Sequence, residues 1–318
     1  MPEKSRSPLP ARAVLRAEGM YLALRDIAAV ELRDAFMQET VVRVAAAESF
    51  TQIERPDLGK VGANSAPAGI VFHVARCGST LVSQVLKQQG RCVVYSEPLP
   101  FNELLLPPHA YPRHELVAAV RSLGDAYASH AGQPYLLKLS SWNTLFCDIV
   151  AEAFPATPWV LCLRDPVEVA VSLVARPPGW MQGNAGAAAV LRRAVDPTGA
   201  ARSSAEFAAR LYGAFCAAAC RLDPARGRLL DYAELPGAIW NLVAPHFGLA
   251  VDDPQRARMM QEARTDAKAP LGKAKEFTGD AASKQAAATP DLRAAIEQFA
   301  QPELARLRQR HGTTKQGS

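Results

Sequence analysis

The pattern GxxxxGK[ST], which sets a lysine and a magnesium ligand against the phosphates of a nucleoside triphosphate, occurs nowhere in the 318 residues. That absence counts against an ordinary ATP- or GTP-binding loop. Long apolar runs are missing as well: none approaches the roughly 18 residues that a membrane span requires. The opening "MPEKSRSPLPARAVLR" mixes charge with proline and has no apolar core of the kind a secretory leader carries, so a cytoplasmic chain is expected. There is no block of Lys and Arg interleaved with aromatics. The net charge of +5 is spread among acidic residues, so nucleic acid is not an expected partner, whereas a small anion is. Cys216 and Cys220 share a helix face, but no histidine stands at ligand spacing from them, and no metal centre is expected. With Cys77, Cys92, Cys147 and Cys162 they make six cysteines, mostly in apolar segments, as suits buried thiols in a reducing compartment.

What is present is a globular composition, 49% hydrophobic and 21% charged, on a chain long enough to bury one large core. Residues 1–66 read as a helical arm packed on the core, with helical patterning around "AVELRDAFMQETVVRVAAA". From residue 67 to 318 strands and helices alternate as a single domain, which predicts an α/β fold of three layers. Its central, mainly parallel sheet would have about five strands flanked by helices. The strands are "IVFHV", "CVVYS", "PYLLKLS", "PWVLCL" and "GRLLDY". The helices include "STLVSQVLKQQ", ended by Gly90, and "WNTLFCDIVAEAF", stopped by Pro155. "DPVEVAVSLVAR" has Asp165 as its N-cap, and Ser203 with Glu206 forms a capping box before "AEFAARLYGAFCAAACRL". One last helix is expected over "PDLRAAIEQFAQPELARLRQR".

The first strand runs through "HVARCGSTL" into a helix. A strand-to-helix loop aims backbone N–H groups at one point, and the helix dipole adds positive potential there. Gly78 lets the backbone approach an anion, Ser79 and Thr80 supply hydroxyls, and Arg76 brings a guanidinium that can fork onto two oxygens. A second anion is suggested by Arg164, at the carboxyl end of an apolar strand, with Ser172 two helical turns on. An Arg164–Asp165 capping pair and an ordinary helix serine at 172 would account for the same letters.

Together the two stretches resemble the sulfotransferases that use 3′-phosphoadenosine 5′-phosphosulfate (PAPS). "ARCGSTL" is similar to the family's 5′-phosphosulfate loop and "RDPVEVAVS" to its 3′-phosphate motif; the likeness spans about residues 69–250 and is nearer the tyrosylprotein and bacterial glycolipid or trehalose branches. It departs at Cys77 and Glu168, where the family commonly carries a serine and a basic residue. The resemblance implies a P-loop sulfotransferase fold, PAPS as co-substrate and no metal. It implies Arg76, Cys77, Gly78, Ser79, Thr80, Arg164 and Ser172 on the nucleotide; Tyr232 is a candidate to stack on adenine, although a core tyrosine explains that residue equally well. Glu97 is then the general base, with His73 its rival, and Lys138 joins Arg76 as a donor to the transferring group. Ser140 and Ser141 are weaker candidates for orienting the acceptor, whose pocket walls are expected in 98–130 and 176–202. The acceptor is left open among small molecules, glycans, lipids and peptides. So is the role of the stretch from Lys273 to Lys284. Two alternatives stay beside this reading: an ATP-dependent phosphotransferase with a degenerate loop, in which Asp231 would hold the metal, and a non-catalytic nucleotide-binding protein.

Overall fold

The computed structural model describes residues 7–27, 30–44, 46–60, 65–106, 111–182, 186–268 and 280–312. Five strands form a parallel sheet: β4 (Gly69–His73), β5 (Val93–Ser96), β6 (Tyr135–Lys138), β7 (Trp159–Leu163) and β8 (Gly227–Asp231), in the order β5-β6-β4-β7-β8. Every residue of β4, β6 and β7 is buried, which is why those strands read as unbroken apolar runs rather than as alternation. β4 lies at the centre, with β6 and β7 on its two sides. The chain steps to one side for β5 and β6 and then crosses to the other for β7, so the strand order reverses around β4. In open α/β sheets, ligands bind beyond the carboxyl ends at such a reversal.

Helices cover the sheet. α2 (Ser79–Lys87) follows β4, α3 (Leu99–Leu105) and α4 (Arg113–Ala131) follow β5, α5 (Cys147–Ala153) follows β6, and α6 (Pro166–Ala175) follows β7. α7 (Gly186–Val195) and α8 (Ser204–Ala219) precede β8. After it come the short α9 (Ala244–His246), α10 (Asp253–Glu262), α11 (Ala281–Ala286), α12 (Pro290–Phe299) and α13 (Gln301–Arg310). Asp165 caps α6 as expected, its Oδ1 accepting the N–H groups of Val167 and Glu168 at 2.9 and 3.1 Å. Ser203 caps α8 by accepting the Glu206 N–H at 3.1 Å.

Three expectations are corrected. The helix read over 142–154 starts as a 3₁₀ turn, Ser141–Phe146, and becomes α-helical only at Cys147. The single last helix is two, broken at Ala300, where Pro302 in the next turn has no N–H to continue the ladder. The N-terminal arm is mostly sheet, with β1 (Leu9–Arg16), β2 (Gly19–Arg25) and β3 (Glu48–Glu54) antiparallel in that order; the expected helix shrinks to α1 (Met37–Arg43). Beyond a register shift between Pro10 and Arg12, β1 buries Ala13 and Leu15 and exposes Arg12, Val14 and Arg16, a short period-2 pattern that carries little signal. β3 exposes all but Ile53, so it exists through its ladder to β2 rather than through burial. This sheet packs on α3 and α4 through β1, where Tyr127 Oη donates to the Pro10 carbonyl at 3.0 Å and Glu103 Oε2 accepts the Ala13 N–H at 2.8 Å.

Candidate active site

Backbone strain marks one end of the sheet. Among the described residues, three non-glycine residues have positive φ: Ala75 (66°), Arg76 (51°) and Glu97 (51°). All lie just beyond the carboxyl ends of β4 and β5. A left-handed conformation costs a non-glycine residue about 1–2 kcal/mol, and such strain collects where function holds it. Gly78 follows at φ 81° as the N-cap of α2 and has no capping side chain. Consecutive residues in such conformations turn their N–H groups into a concavity suited to an anion. A Cβ on Gly78 would lie 2.8 Å from Leu235 Cδ1 and 2.9 Å from Tyr232 Cδ2, so glycine is needed for space as well as for its φ. Arg76 is half-buried and donates from Nη2 to the Arg176 carbonyl at 2.8 Å. Cys77 is buried, its thiol pushed up mainly by desolvation, so only its backbone is available to a ligand in the loop. Ser79 and Thr80 occupy the first turn of α2 and are buried.

Beside the loop stands an ion pair whose lysine is buried and whose carboxylate is half-buried. Lys138, the last residue of β6, is 1% exposed, and its Nζ donates to Glu97 Oε1; the Glu97 side chain is 27% exposed. Parallel register sets Ser96 opposite Lys138, and the Glu97 N–H donates to the Lys138 carbonyl at 2.6 Å, so adjacent strand ends deliver the two groups. Ser140 Oγ approaches Glu97 Oε2 at 3.4 Å, while Ser141 is buried in the 3₁₀ turn that follows. His73 lies close, with Nε2 3.7 Å from Glu97 Oε1, but both its nitrogens are engaged. Nε2 meets the Leu139 carbonyl at 3.0 Å, and Nδ1 accepts the Ala75 N–H at 3.3 Å. Desolvation, and then the neighbouring Lys138 ammonium, hold its pKa well below the ordinary histidine value. His73 is a neutral structural brace for the loop.

Arg164, one residue past β7, is buried and points its guanidinium back at the loop, with Nη1 3.5 Å from the Arg76 carbonyl. Its own carbonyl accepts from Tyr212 Oη at 2.8 Å. Nε donates to Glu168 Oε2 at 2.6 Å, so the acidic residue at the unusual position 168 serves to seat the arginine. The guanidinium stacks 4.0 Å from the centre of the Tyr232 ring. Tyr232 is thus gripped between Arg164 and the Gly78 backbone, and one of its faces is already taken. Ser172 is half-buried on α6, two turns beyond Asp165.

Sequence reasoning missed two neighbours. Phe36, from the N-terminal segment, sets its ring centre 5.3 Å from Lys138 Nζ; the only sequence signal was its place at the start of the "FMQETVV" helix. Lys268 is held below the ordinary lysine pKa, first by desolvation and then by the nearby Arg76 and Lys138 cations, which brings a fourth basic residue to this edge. Of the stretch from Lys273 to Lys284 only 280–284 belongs to the described residues; Lys273 and Lys275 lie outside them. Parts of both expected pocket walls, 107–110 and 183–185, also fall outside. Among the described residues no three of His, Cys, Asp or Glu gather into a cation-sized cluster, and no helix is long and apolar enough to cross a membrane.

No family model matches the chain, and no curated protein matches it. Among solved structures it is similar to the sulfotransferase domain of the Synechococcus PCC 7002 olefin synthase, at 15% identity over 79% of this chain and 98% of that one, with a TM-score of 0.48. It is also similar to a sulfotransferase from Mycobacterium avium (13% identity, 80% and 78% covered, TM-score 0.46). A third is a sulfotransferase from Alicyclobacillus acidocaldarius (14%, 77% and 96%, TM-score 0.44). At such identities and TM-scores no residue role passes from those proteins to this one.

Proposed function

We propose that this protein is a sulfotransferase that moves a sulfuryl group from PAPS to a hydroxyl or amine acceptor. The observation that carries the reading is the pair of buried Lys138 and half-buried Glu97 at the edge of a strained, glycine-capped loop that lacks the lysine of ATP-binding loops. The loop N–H groups of 76–80, with Arg76, would hold the 5′-phosphosulfate, and Arg164 with Ser172 the 3′-phosphate. Glu97 takes the acceptor's proton as the acceptor oxygen or nitrogen bonds to sulfur. The bond from sulfur to the bridging oxygen breaks, and the electron pair stays with the departing 3′,5′-bisphosphate. Lys138 and Arg76 offset the charge that gathers on that oxygen. His73 is the weaker candidate base, because its Nδ1 lone pair is already occupied by the Ala75 N–H.

The ATP-dependent alternative needs Asp231 as a metal ligand, and Asp231 Oδ1 instead accepts from Arg308 Nη2 at 2.8 Å. The readings part in a thermal-shift experiment with 3′,5′-adenosine bisphosphate and with ATP, each with and without magnesium. The sulfotransferase reading expects stabilisation by the bisphosphate that is indifferent to magnesium. A magnesium-dependent response to ATP, with none to the bisphosphate, would overturn it. Turnover then needs acceptors: release of the bisphosphate in the presence of sugars, phenols, lipids or tyrosine peptides separates an enzyme from a binding protein of the same fold.

A further inference from the structure

Arg164 is bound by two carboxylates that differ in kind. Glu168 is one helical turn away on α6 and buried, so it is built in with the arginine. Asp280 comes from 116 residues further along the chain, is 45% exposed, and accepts from Arg164 Nη2 through Oδ1 at 2.5 Å. Its second oxygen is held by Lys284 Nζ at 2.8 Å. A carboxylate with an arginine on one oxygen and a lysine on the other has the partners a phosphate oxyanion would seek.

We propose that Asp280 is an internal competitor at this anion site: its carboxylate takes the place of a phosphate monoester, and a bisphosphate nucleotide displaces it from Arg164. The inference rests on the PAPS reading for the identity of the nucleotide, but not for the anion site itself. Displacement asks little of the fold. Asp280 precedes α11, which buries none of its residues, and its side chain makes no cap bond to that helix. α11 has its own ties, through Gln285 Nε2 to Asp165 Oδ1 at 2.9 Å and through Arg293 Nη2 to the Gln285 carbonyl at 2.6 Å. Rotating Asp280 away therefore leaves the helix docked and Lys284 free to turn to the incoming phosphate. Without that rotation, like charges would share one arginine. The contact weakens only ligands that reach Arg164, so a nucleotide lacking the 3′-phosphate is indifferent to it. On the proposed reaction, the returning carboxylate hastens release of the bisphosphate product.

Calorimetric titration of the full chain and of Asp280→Asn with 3′,5′-adenosine bisphosphate, 5′-AMP and inorganic phosphate tests this. The variant is expected to bind the bisphosphate about tenfold more tightly, within the usual range of coupling between two ligands, with 5′-AMP unchanged. Equal or weaker bisphosphate binding in the variant overturns the proposal and leaves the PAPS reading intact. If the native chain and the variant both ignore the bisphosphate, the PAPS reading falls, and inorganic phosphate decides the inference: tighter binding to Asp280→Asn upholds it, equal binding sinks it.

Discussion

Lys138 lies where it does against the carboxylate of Glu97. The lysine is 1% exposed, and removing its partner leaves an ammonium with little water and no counter-ion. Glu97→Gln is expected to cost about 2–3 kcal/mol in urea unfolding. The same variant should keep its stabilisation by the bisphosphate, because Glu97 makes no part of the anion loop, while transfer to any accepted substrate falls by about 100-fold or more. A variant that transfers at the native rate would remove Glu97 from the chemistry. Gly78→Ala tests the loop. At φ 81° with Tyr232 and Leu235 within 3 Å of the new Cβ, alanine is strained twice over. A loss of about 2 kcal/mol and of all bisphosphate stabilisation is expected; unchanged binding would show that the ligand does not sit on this loop.

At the scale of elements, the site is a set of strand ends. β4 supplies the loop, β5 and β6 the ion pair, and β7 the arginine; each helix that follows starts where its strand delivers the functional group. The start of α6 shows how tightly these are joined. Asp165 Oδ1 caps two N–H groups and also accepts from Gln285, next to the arginine whose guanidinium meets the loop. Asp165→Ala should cost about 1 kcal/mol, as a lost N-cap does, and should weaken bisphosphate binding more than 5′-AMP binding. Equal weakening of both ligands would show that the cap does not set Arg164. The strands and caps around the site were readable because burial on both faces and capping chemistry leave strong local marks. The N-terminal sheet was not. β1 alternates through alanines, and β3 has almost no buried face and depends on a ladder to β2 that reaches across the whole of α1.

Over the whole molecule the N-terminal segment is bound to the domain at the site itself. Asp34 is buried and accepts from Thr40 Oγ1 and Arg43 Nη2, both at 2.6 Å, while its carbonyl accepts from Lys87 of α2 at 2.5 Å. That anchoring brings Phe36 over Lys138. The molecule also carries a pH dependence that its charge total conceals. His73, His246 and His311 all have folded pKa values below the ordinary 6.5, each chiefly through desolvation. Below that value the unfolded chain takes up protons that the folded one refuses, so stability is complete above about pH 6.5 and declines as pH falls toward 5.5. Urea midpoints measured from pH 7.5 to 5.5 should fall across that window, and less steeply in His73→Gln. A flat profile would mean that these rings accept protons while folded.

The order of residues by itself determined a parallel α/β sheet, a strand-to-helix turn with glycine at its cap, and a basic residue at the end of each of three strands. Doubly buried strands, caps and tight turns depend on neighbours close in the chain, so they leave marks in a short window of sequence. Only the tertiary structure decided that His73 is braced and neutral, that Lys138 is neutralised by Glu97, and that Arg164 already holds the carboxylate of Asp280. The contacts of His73 with Leu139, of Lys138 with Glu97 and of Arg164 with Asp280 join residues 66, 41 and 116 positions apart. The distance between two charged groups, which sets whether they pair, is a property of the folded sheet edge and of no single stretch of chain.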